Sequence, residues 1–347
     1  LVKFDFLGLK TLTVLDRAVE MIHQTDSKFD LGGIPLDDPA VFELTARGET
    51  VGVFQLEGTG MRDMVRQMRP GCFEDIIAVV ALYRPGPMDN IPLFCNRKSG
   101  AEPLDYLHPS LEEILKPTYG VIVYQEQVMQ IAQKLSGFTA GEADILRRAM
   151  GKKKRKELEK QKERFVNGAV KNGITKDTAI FIFKKIEPFA EYGFNKSHAA
   201  AYAIIAFQTA HLKTYYSNEF FSASMTMDIS NQDKLSEFYE ELTRLNINII
   251  RPDINKCYSD FRSDDNNFYY ALGGIKAVGY ESASNIVKER IKNGEYFLEC
   301  IHAAVADVHT RTGHKLLDLR VCLAAEAAER EVLCSGHLKI ICLRRMI

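Results

Sequence analysis

Apolar residues recur first with period two and then, for most of the chain, with the period of a helix. Val2, Phe4 and Phe6 alternate with Lys3 and Asp5, which predicts a strand over residues 1–7. Gly8 ends it, and residues 9–23 carry an amphipathic helical pattern. A loop containing Gly32, Gly33 and Pro35 fills residues 25–36. Asp38-Pro39 predicts a capped helix that stops before Gly48. Residues 51–57 read as a short strand, 60–69 as a helix, and 73–83 as a buried helix ended by the rigid turn Arg84-Pro85-Gly86-Pro87. Residues 90–109 read as a polar loop. Residues 111–115 form a short apolar element before a turn at Pro117. The β-branched start and Gln/Met-rich end of residues 119–130 predict a strand running into a helix.

Helical patterns then follow closely: residues 141–150, a charged helix to residue 171, residues 175–189, and a long helix ending near residue 216. From residue 218 the texture changes. Residues 220–226 and 233–245 read as helices, and 248–255 and 268–272 as strands. Residues 274–287 carry the spacing Ile-x-x-Val-Gly-x-x-x-Ala-x-x-Ile, which fits a helix-hairpin-helix, with a plain helical hairpin as the alternative. A hairpin of this kind offers backbone N–H groups to a phosphate without reading bases. The predicted class is mainly α with small β elements, an α+β chain. The length suggests two or three domains at ~100–200 residues each.

Charge sharpens this picture. The chain has a net charge of −1, yet residues 146–216 hold 16 Lys and Arg against 6 Asp and Glu, a net of +10. Charge segregated this way usually faces a polyanion, although an isolated charge run is more often a solvated helix face. The centre of the segment is Leu146-Arg147-Arg148-Ala149-Met150-Gly151-Lys152-Lys153-Lys154-Arg155-Lys156. Gly151 divides it, with Arg147 and Arg148 closing one helix and the lysines beyond the break. Asn195, Lys196, Ser197 and His198 form a polar turn before an apolar helix, an arrangement suited to phosphate and sugar at a helix N-terminus. Lys3 beside Asp5 reads either as a salt bridge or as a phosphate-binding lysine beside a metal-binding carboxylate. Together these features suggest a nucleotide and a nucleic acid.

No stretch is long and apolar enough to span a bilayer, which needs ~20 residues. The most apolar one, residues 199–212, is short and contains Gln208 and His211. No secretory signal is visible, and seven cysteines without paired spacing point to a reducing cytoplasm. The chain begins inside a predicted strand and is expected to be a fragment. Residues 298–347 hold none of the 34 Phe and Tyr, and four of the seven Cys. No Cys-x-x-Cys or paired-His spacing there supports a zinc site. This tail is expected to be non-native, a frame-shifted translation that packs poorly or is disordered.

Several blocks in order carry a family resemblance. They are Val2-Lys3-Phe4-Asp5-Phe6-Leu7-Gly8-Leu9, Gly52-Val53-Phe54-Gln55-Leu56-Glu57, Arg84-Pro85-Gly86-Pro87, Tyr124-Gln125-Glu126-Gln127-Val128-Met129, the basic stretch, Tyr192-Gly193-Phe194-Asn195-Lys196-Ser197-His198 and Pro252-Asp253-Ile254-Asn255. Over residues 1–297 the chain resembles the C-family replicative polymerases, the α subunits of bacterial DNA polymerase III. The resemblance implies a multi-domain polymerase fragment: the end of the palm in residues 1–50, the fingers in 51–216 and a helix-hairpin-helix region in 217–297. It implies transfer of a deoxynucleotide to a primer 3′-hydroxyl with release of pyrophosphate, assisted by two Mg²⁺ ions roughly 3.5–4 Å apart. Asp5 matches one of three metal-binding carboxylates, the other two being expected upstream. Lys3 would sit near the triphosphate. Arg147 and Arg148 match residues that grip the β and γ phosphates, where a planar fork binds bidentately. Asn195, Lys196 and His198 match the sugar and triphosphate side. Lys152, Lys153, Lys154, Lys276 and Gly279 are the DNA-facing candidates. The implied partners are primer-template DNA, dNTP, a sliding clamp and other replicase subunits, with no membrane. Where the family has Gly-Val-Gly in its hairpin, this chain has Ala277-Val278-Gly279, which puts the closest phosphate approach there in doubt. A fragment of this extent is expected to be inactive alone. A non-catalytic DNA-binding module and the error-prone paralogue of the same family are the alternatives.

Overall fold

The computed structural model describes residues 8–151, 155–264, 266–276 and 278–296. Its helices are α1 (Lys10–Ile22), α2 (Pro39–Ala46), α3 (Thr59–Met68), α4 (Phe73–Leu82), α5 (Ile91–Ser99), α6 (Glu112–Leu115), α7 (Gln125–Ser136), α8 (Ala140–Gly151), α9 (Arg155–Lys171), α10 (Lys176–Tyr192), α11 (Lys196–Tyr215), α12 (Ser217–Met227), α13 (Gln232–Arg244) and α14 (Tyr280–Asn293). Among the described residues, three two-residue strands, β1 (Ile249–Ile250), β2 (Arg262–Ser263) and β3 (Phe268–Tyr269), complete a mainly α fold with small β elements. No helix among the described residues is long and apolar enough to cross a membrane. The tail from residue 298, expected to be non-native, lies outside the described residues.

The chain divides into two compact units, one of residues 30–214 and one joining residues 1–29 to 215–347. Residues 30–50, assigned by resemblance to the palm, place Val41 and Phe42 in the core of the first unit.

Among the described residues, the unit of residues 30–214 has two apolar clusters. One gathers α2 to α5, residues 121–124 and α11; the other gathers α6 to α10. Residues 121–124 serve both, because an extended backbone turns alternate side chains to opposite sides. Val121 and Val123 enter the first cluster and Ile122 the second. This segment was expected to be a strand, but among the described residues it pairs only at a parallel bridge between Tyr124 and Phe194. Gln127 replaces the missing partner. Its Oε1 accepts from Val123 N at 2.8 Å and Tyr124 N at 3.0 Å, and its Nε2 donates to Thr118 Oγ1 at 2.8 Å.

Two further expectations for this unit are corrected. Residues 51–57 form successive turns, because Gly52 and Gln55 adopt φ of 79° and 64°, which an extended strand excludes. The Thr50 hydroxyl closes the segment by donating to Leu56 O at 2.6 Å. The stretch expected to be a polar loop from residue 90 begins with helix α5. Ile91, Phe94 and Cys95 are buried on one face, Pro92 lies in the first turn, and Gly100 ends the helix at φ 78°. On α4, every residue from Asp75 to Leu82 is buried. Asp75 is tolerated there because it accepts from Lys98 Nζ at 2.7 Å and Gly71 N at 2.8 Å.

In the other unit, α1 buries Val14, Leu15, Ala18 and Ile22 and packs on α12. Lys10 Nζ donates to Asp228 just beyond that helix. The sheet order is β1-β3-β2, with β1 parallel and β2 antiparallel to β3. β1 is shorter than the predicted strand for local reasons. Pro252 has no N–H to give, and Asp253 Oδ1 draws Asn255 N at 2.7 Å and Lys256 N at 3.2 Å into a turn. The first arm of the predicted hairpin is a single 3₁₀ turn, Leu272–Gly274. Its Leu272 and Gly273 amides donate to Tyr258 O and Ser259 O. The second arm is α14.

Candidate nucleotide-binding site

Two sequence motifs meet at the N-terminus of α7. The Gln125 amide donates to Phe194 O at 3.0 Å, and Phe194 N donates back to Val123 O at 3.2 Å. The Gln125 side chain faces the basic helix, where its Oε1 accepts from Arg147 Nη1 at 3.2 Å. The neighbouring Glu126 carboxylate accepts from Lys196 N, at 3.1 Å and 3.0 Å to its two oxygens. The dipeptide Gln125-Glu126 therefore fixes both Arg147 of α8 and the turn entering α11.

Asp144 sets the geometry of the arginines, three and four positions before them on α8. Its Oδ1 accepts from Arg147 Nη2 at 2.7 Å and Nε at 3.0 Å, and its Oδ2 lies 2.7 Å from Arg148 Nη2. The hydrogen bond from Arg147 and the two guanidinium charges hold the Asp144 carboxyl below the usual Asp range. Arg147 is thus enclosed, with its side chain 29% exposed, while that of Arg148 is 66% exposed. One carboxylate against two guanidinium groups leaves a local excess of positive charge, presented mainly by Arg148.

At α11 the turn is capped from within. Asn195 Oδ1 accepts from His198 N at 2.8 Å, and Glu126 occupies Lys196 N. The amides that were expected to cradle a phosphate are engaged at these two positions, so the side chains of Asn195, Lys196, Ser197 and His198 are what the turn exposes. Lys196 Nζ lies 5.5 Å from the centre of the Tyr124 ring. His198 lies over Tyr202 at 4.4 Å and meets the Phe194 ring edge-on at 5.3 Å. The stack extends to Phe54, 5.5 Å from Tyr202, and to the Arg84 guanidinium, 4.2 Å above Phe194. Burial holds Arg84 below its ordinary pKa. Three separate sequence blocks, around Phe54, Arg84 and His198, are thereby joined in one aromatic ladder. A cleft of about 620 Å³ lies beside the turn, lined by Tyr124, Glu126, Gln130, Lys134 and Lys196 among others. That volume is in the range that takes a nucleotide-sized ligand.

Arg147, Arg148, Asn195, Lys196 and His198 all lie in this one unit, with Arg147, Arg148 and Lys196 held by Gln125, Asp144 and Glu126, and Asn195 bonded to His198 N. Lys3, Asp5, Lys152, Lys153 and Lys154 lie outside the described residues. Lys276 is exposed and Gly279, at φ 76°, precedes α14; both belong to the other unit. Among the described residues no group of three or more His, Cys, Asp or Glu side chains could hold a metal ion; Asp5, to which the expected Mg²⁺ was assigned, lies outside them. Sequence reasoning missed Asp144, Glu126 and Arg84 as positioning groups. Only Asp144 carried a local signal, its spacing from the two arginines.

The bacterial DNA polymerase III alpha subunit finger domain matches residues 11–173, and a helix-hairpin-helix motif matches residues 246–322. The second match runs past Phe297, where the family pattern was expected to stop. The chain is 55% identical over 296 residues to the DNA polymerase III subunit alpha of Caulobacter vibrioides, covering 85% of this chain and 26% of that protein. It is 48% identical over 334 residues to that of Escherichia coli K12, covering 92% and 28%. The chain therefore spans about a quarter of the length of these curated relatives.

Proposed function

Because the chain belongs to the bacterial DNA polymerase III α-subunit family, we propose that it takes part in template-directed deoxynucleotidyl transfer and that its unit of residues 30–214 holds the incoming nucleotide. The observation carrying this reading is the Gln125-Glu126 junction, which ties Arg147 on one side and the Asn195–His198 turn on the other. A dNTP needs both features at once, cations for its triphosphate and a shaped polar surface for its sugar.

Arg148 is the principal phosphate ligand in this reading, since most of its guanidinium faces outward and a planar fork suits phosphate oxygens. Arg147 stiffens the pair and adds charge. Lys196 neutralises a second phosphate, and His198, fixed on Tyr202, faces the sugar. Lys3 and Asp5, the residues expected for the triphosphate and the metal, lie outside the described residues. Mg²⁺, when bound in the complete enzyme, would stabilise the attacking and leaving oxygens. The 30–214 unit acts as fingers, and the region around Lys276 and Gly279 contacts duplex phosphates. Primer-template DNA, dNTP, a sliding clamp and other replicase subunits are the partners of the full-length protein, in the cytoplasm.

The test is Arg148→Ala in the full-length enzyme. A charge-assisted hydrogen bond contributes ~1.5–3 kcal/mol. A tenfold or larger fall in kcat/KM is therefore expected, with KM raised and kcat lowered. Unchanged single-nucleotide incorporation kinetics would remove the assignment.

A further inference from the structure

A second cleft, of about 770 Å³, opens in the same unit and takes no part in the site above. We propose that it binds single-stranded DNA, with one unpaired base stacked on Phe181 and flanking phosphates on Lys184, Lys185 and Arg97. The polymerase reading is needed only to name that strand as template.

Phe181 sits on α10 beside Ile182, Phe183 and Ile186, which are fully buried, yet is itself 49% exposed. An aromatic face left in solvent is a platform for a base, and stacking of this kind tolerates any sequence. Lys184 and Lys185 follow one turn later, so they share the face of Phe181. Both are exposed, and Lys185 Nζ is 5.6 Å from the Phe181 ring centre. Arg97 approaches from α5. Its Nη1 donates to Asp105 O at 3.2 Å, but its Nη2 is 3.8 Å from the Asp105 carboxylate, a loose pairing. Its Nε is buried without a hydrogen-bond partner. A guanidinium so enclosed and so weakly matched retains capacity for an anion. Asp105 and Asp89 are the carboxylates of the lining. Asp105 already accepts from Leu107 N at 2.8 Å, and Asp89 lies at the exposed rim. A base within a duplex has both faces covered, so one aromatic platform between cations favours an unpaired base.

The experiment measures equilibrium binding by the full-length protein, without nucleotide, of a primer-template with a 5′ oligothymidylate tail and of a blunt duplex. Phe181→Ala should weaken binding of the tailed DNA about 5- to 150-fold with an unchanged salt dependence. Lys184→Ala/Lys185→Ala should lower the magnitude of the slope of log K against log salt by about 1.4, at ~0.7 per phosphate. Phe181→Trp should keep the affinity, and its fluorescence should be quenched by free oligothymidylate. Blunt-duplex affinity should be the same in all variants. These three side chains are exposed, and circular dichroism will confirm that the variants fold. Equal affinity and slope for tailed DNA in every variant, with no tryptophan quenching, would overturn the proposal. Primer extension is read separately. Tail binding as expected without extension removes the polymerase reading alone; extension with tail binding unaltered in the variants removes this inference alone.

Discussion

At Val123 and Tyr124 the backbone amides sit between two apolar clusters, and one side-chain carbonyl, from Gln127, accepts both. Gln127→Leu keeps the approximate volume but leaves two buried donors unmet, each at about 1–3 kcal/mol. Denaturant unfolding should show a loss of about 2–5 kcal/mol; a loss below about 1 kcal/mol would mean that water or a shifted backbone replaces the glutamine. His198 is held differently, by ring contacts with Phe194 and Tyr202. If its imidazole crowds the sugar 2′ position, His198→Ala in the full-length enzyme should raise ribonucleotide relative to deoxynucleotide incorporation, and an unchanged ratio rejects that role. His211 is buried, and burial lowers its pKa below 6.5 despite Asp38 at 3.6 Å. As pH falls through 6.5 the unfolded chain takes up the proton first. Stability is therefore full above 6.5 and declines below it until the folded chain also protonates. Urea unfolding from about pH 7.5 down to about pH 5.5 should lose less stability in His211→Gln than in the parent.

The packing of helices depends on small residues where backbones approach. A Cβ at Gly168 on α9 would lie 2.2 Å from Ser136 O at the end of α7. Alanine improves helix propensity by ~1 kcal/mol, but the obstacle is backbone and cannot rotate away. Overpacking costs about 1–3 kcal/mol, so Gly168→Ala should lower Tm, and a raised Tm would show that α7 and α9 can separate freely. In the other unit, Asn255 receives Tyr296 N at 2.7 Å and donates to Tyr296 O at 2.9 Å, so one amide fastens the chain beyond α14 to the turn after β1. This gives the Pro252-Asp253-Ile254-Asn255 block a structural reason.

Across the whole molecule, positive charge is concentrated in residues 146–216 while the remainder is acidic. The 347-residue chain supplied alone should bind primer-template DNA without extending it. If about five phosphates are neutralised, log K against log salt should have a slope of roughly −4 to −5. Extension is not expected, because Asp5 is the only carboxylate assigned to a pair of Mg²⁺ ions, which one side chain cannot hold in catalytic geometry. Template-directed extension by this chain would show that Asp5 has local partners. A slope near zero would show that the basic segment does not meet phosphate.

The order of the helices, their buried faces and the family were legible in the sequence, because helical periodicity and contiguous motifs are local properties. Residues 152–154, where the basic run was expected to break, lie outside the described residues. Helix α5 was legible as well, in Pro92, Gly100 and the spacing of Ile91, Phe94 and Cys95, but the polar residues around it outweighed that signal. The tertiary structure alone decided three things. It placed Phe54, Arg84 and His198 in one ladder, although more than a hundred residues separate the first from the last. It turned two apparent strands into turns and a glutamine-capped segment, since a strand requires a partner that no local pattern contains. It also spent the amides at the start of α11 on Glu126 and Asn195. A helix terminus in a sequence shows its donors, but only packing determines what already fills them.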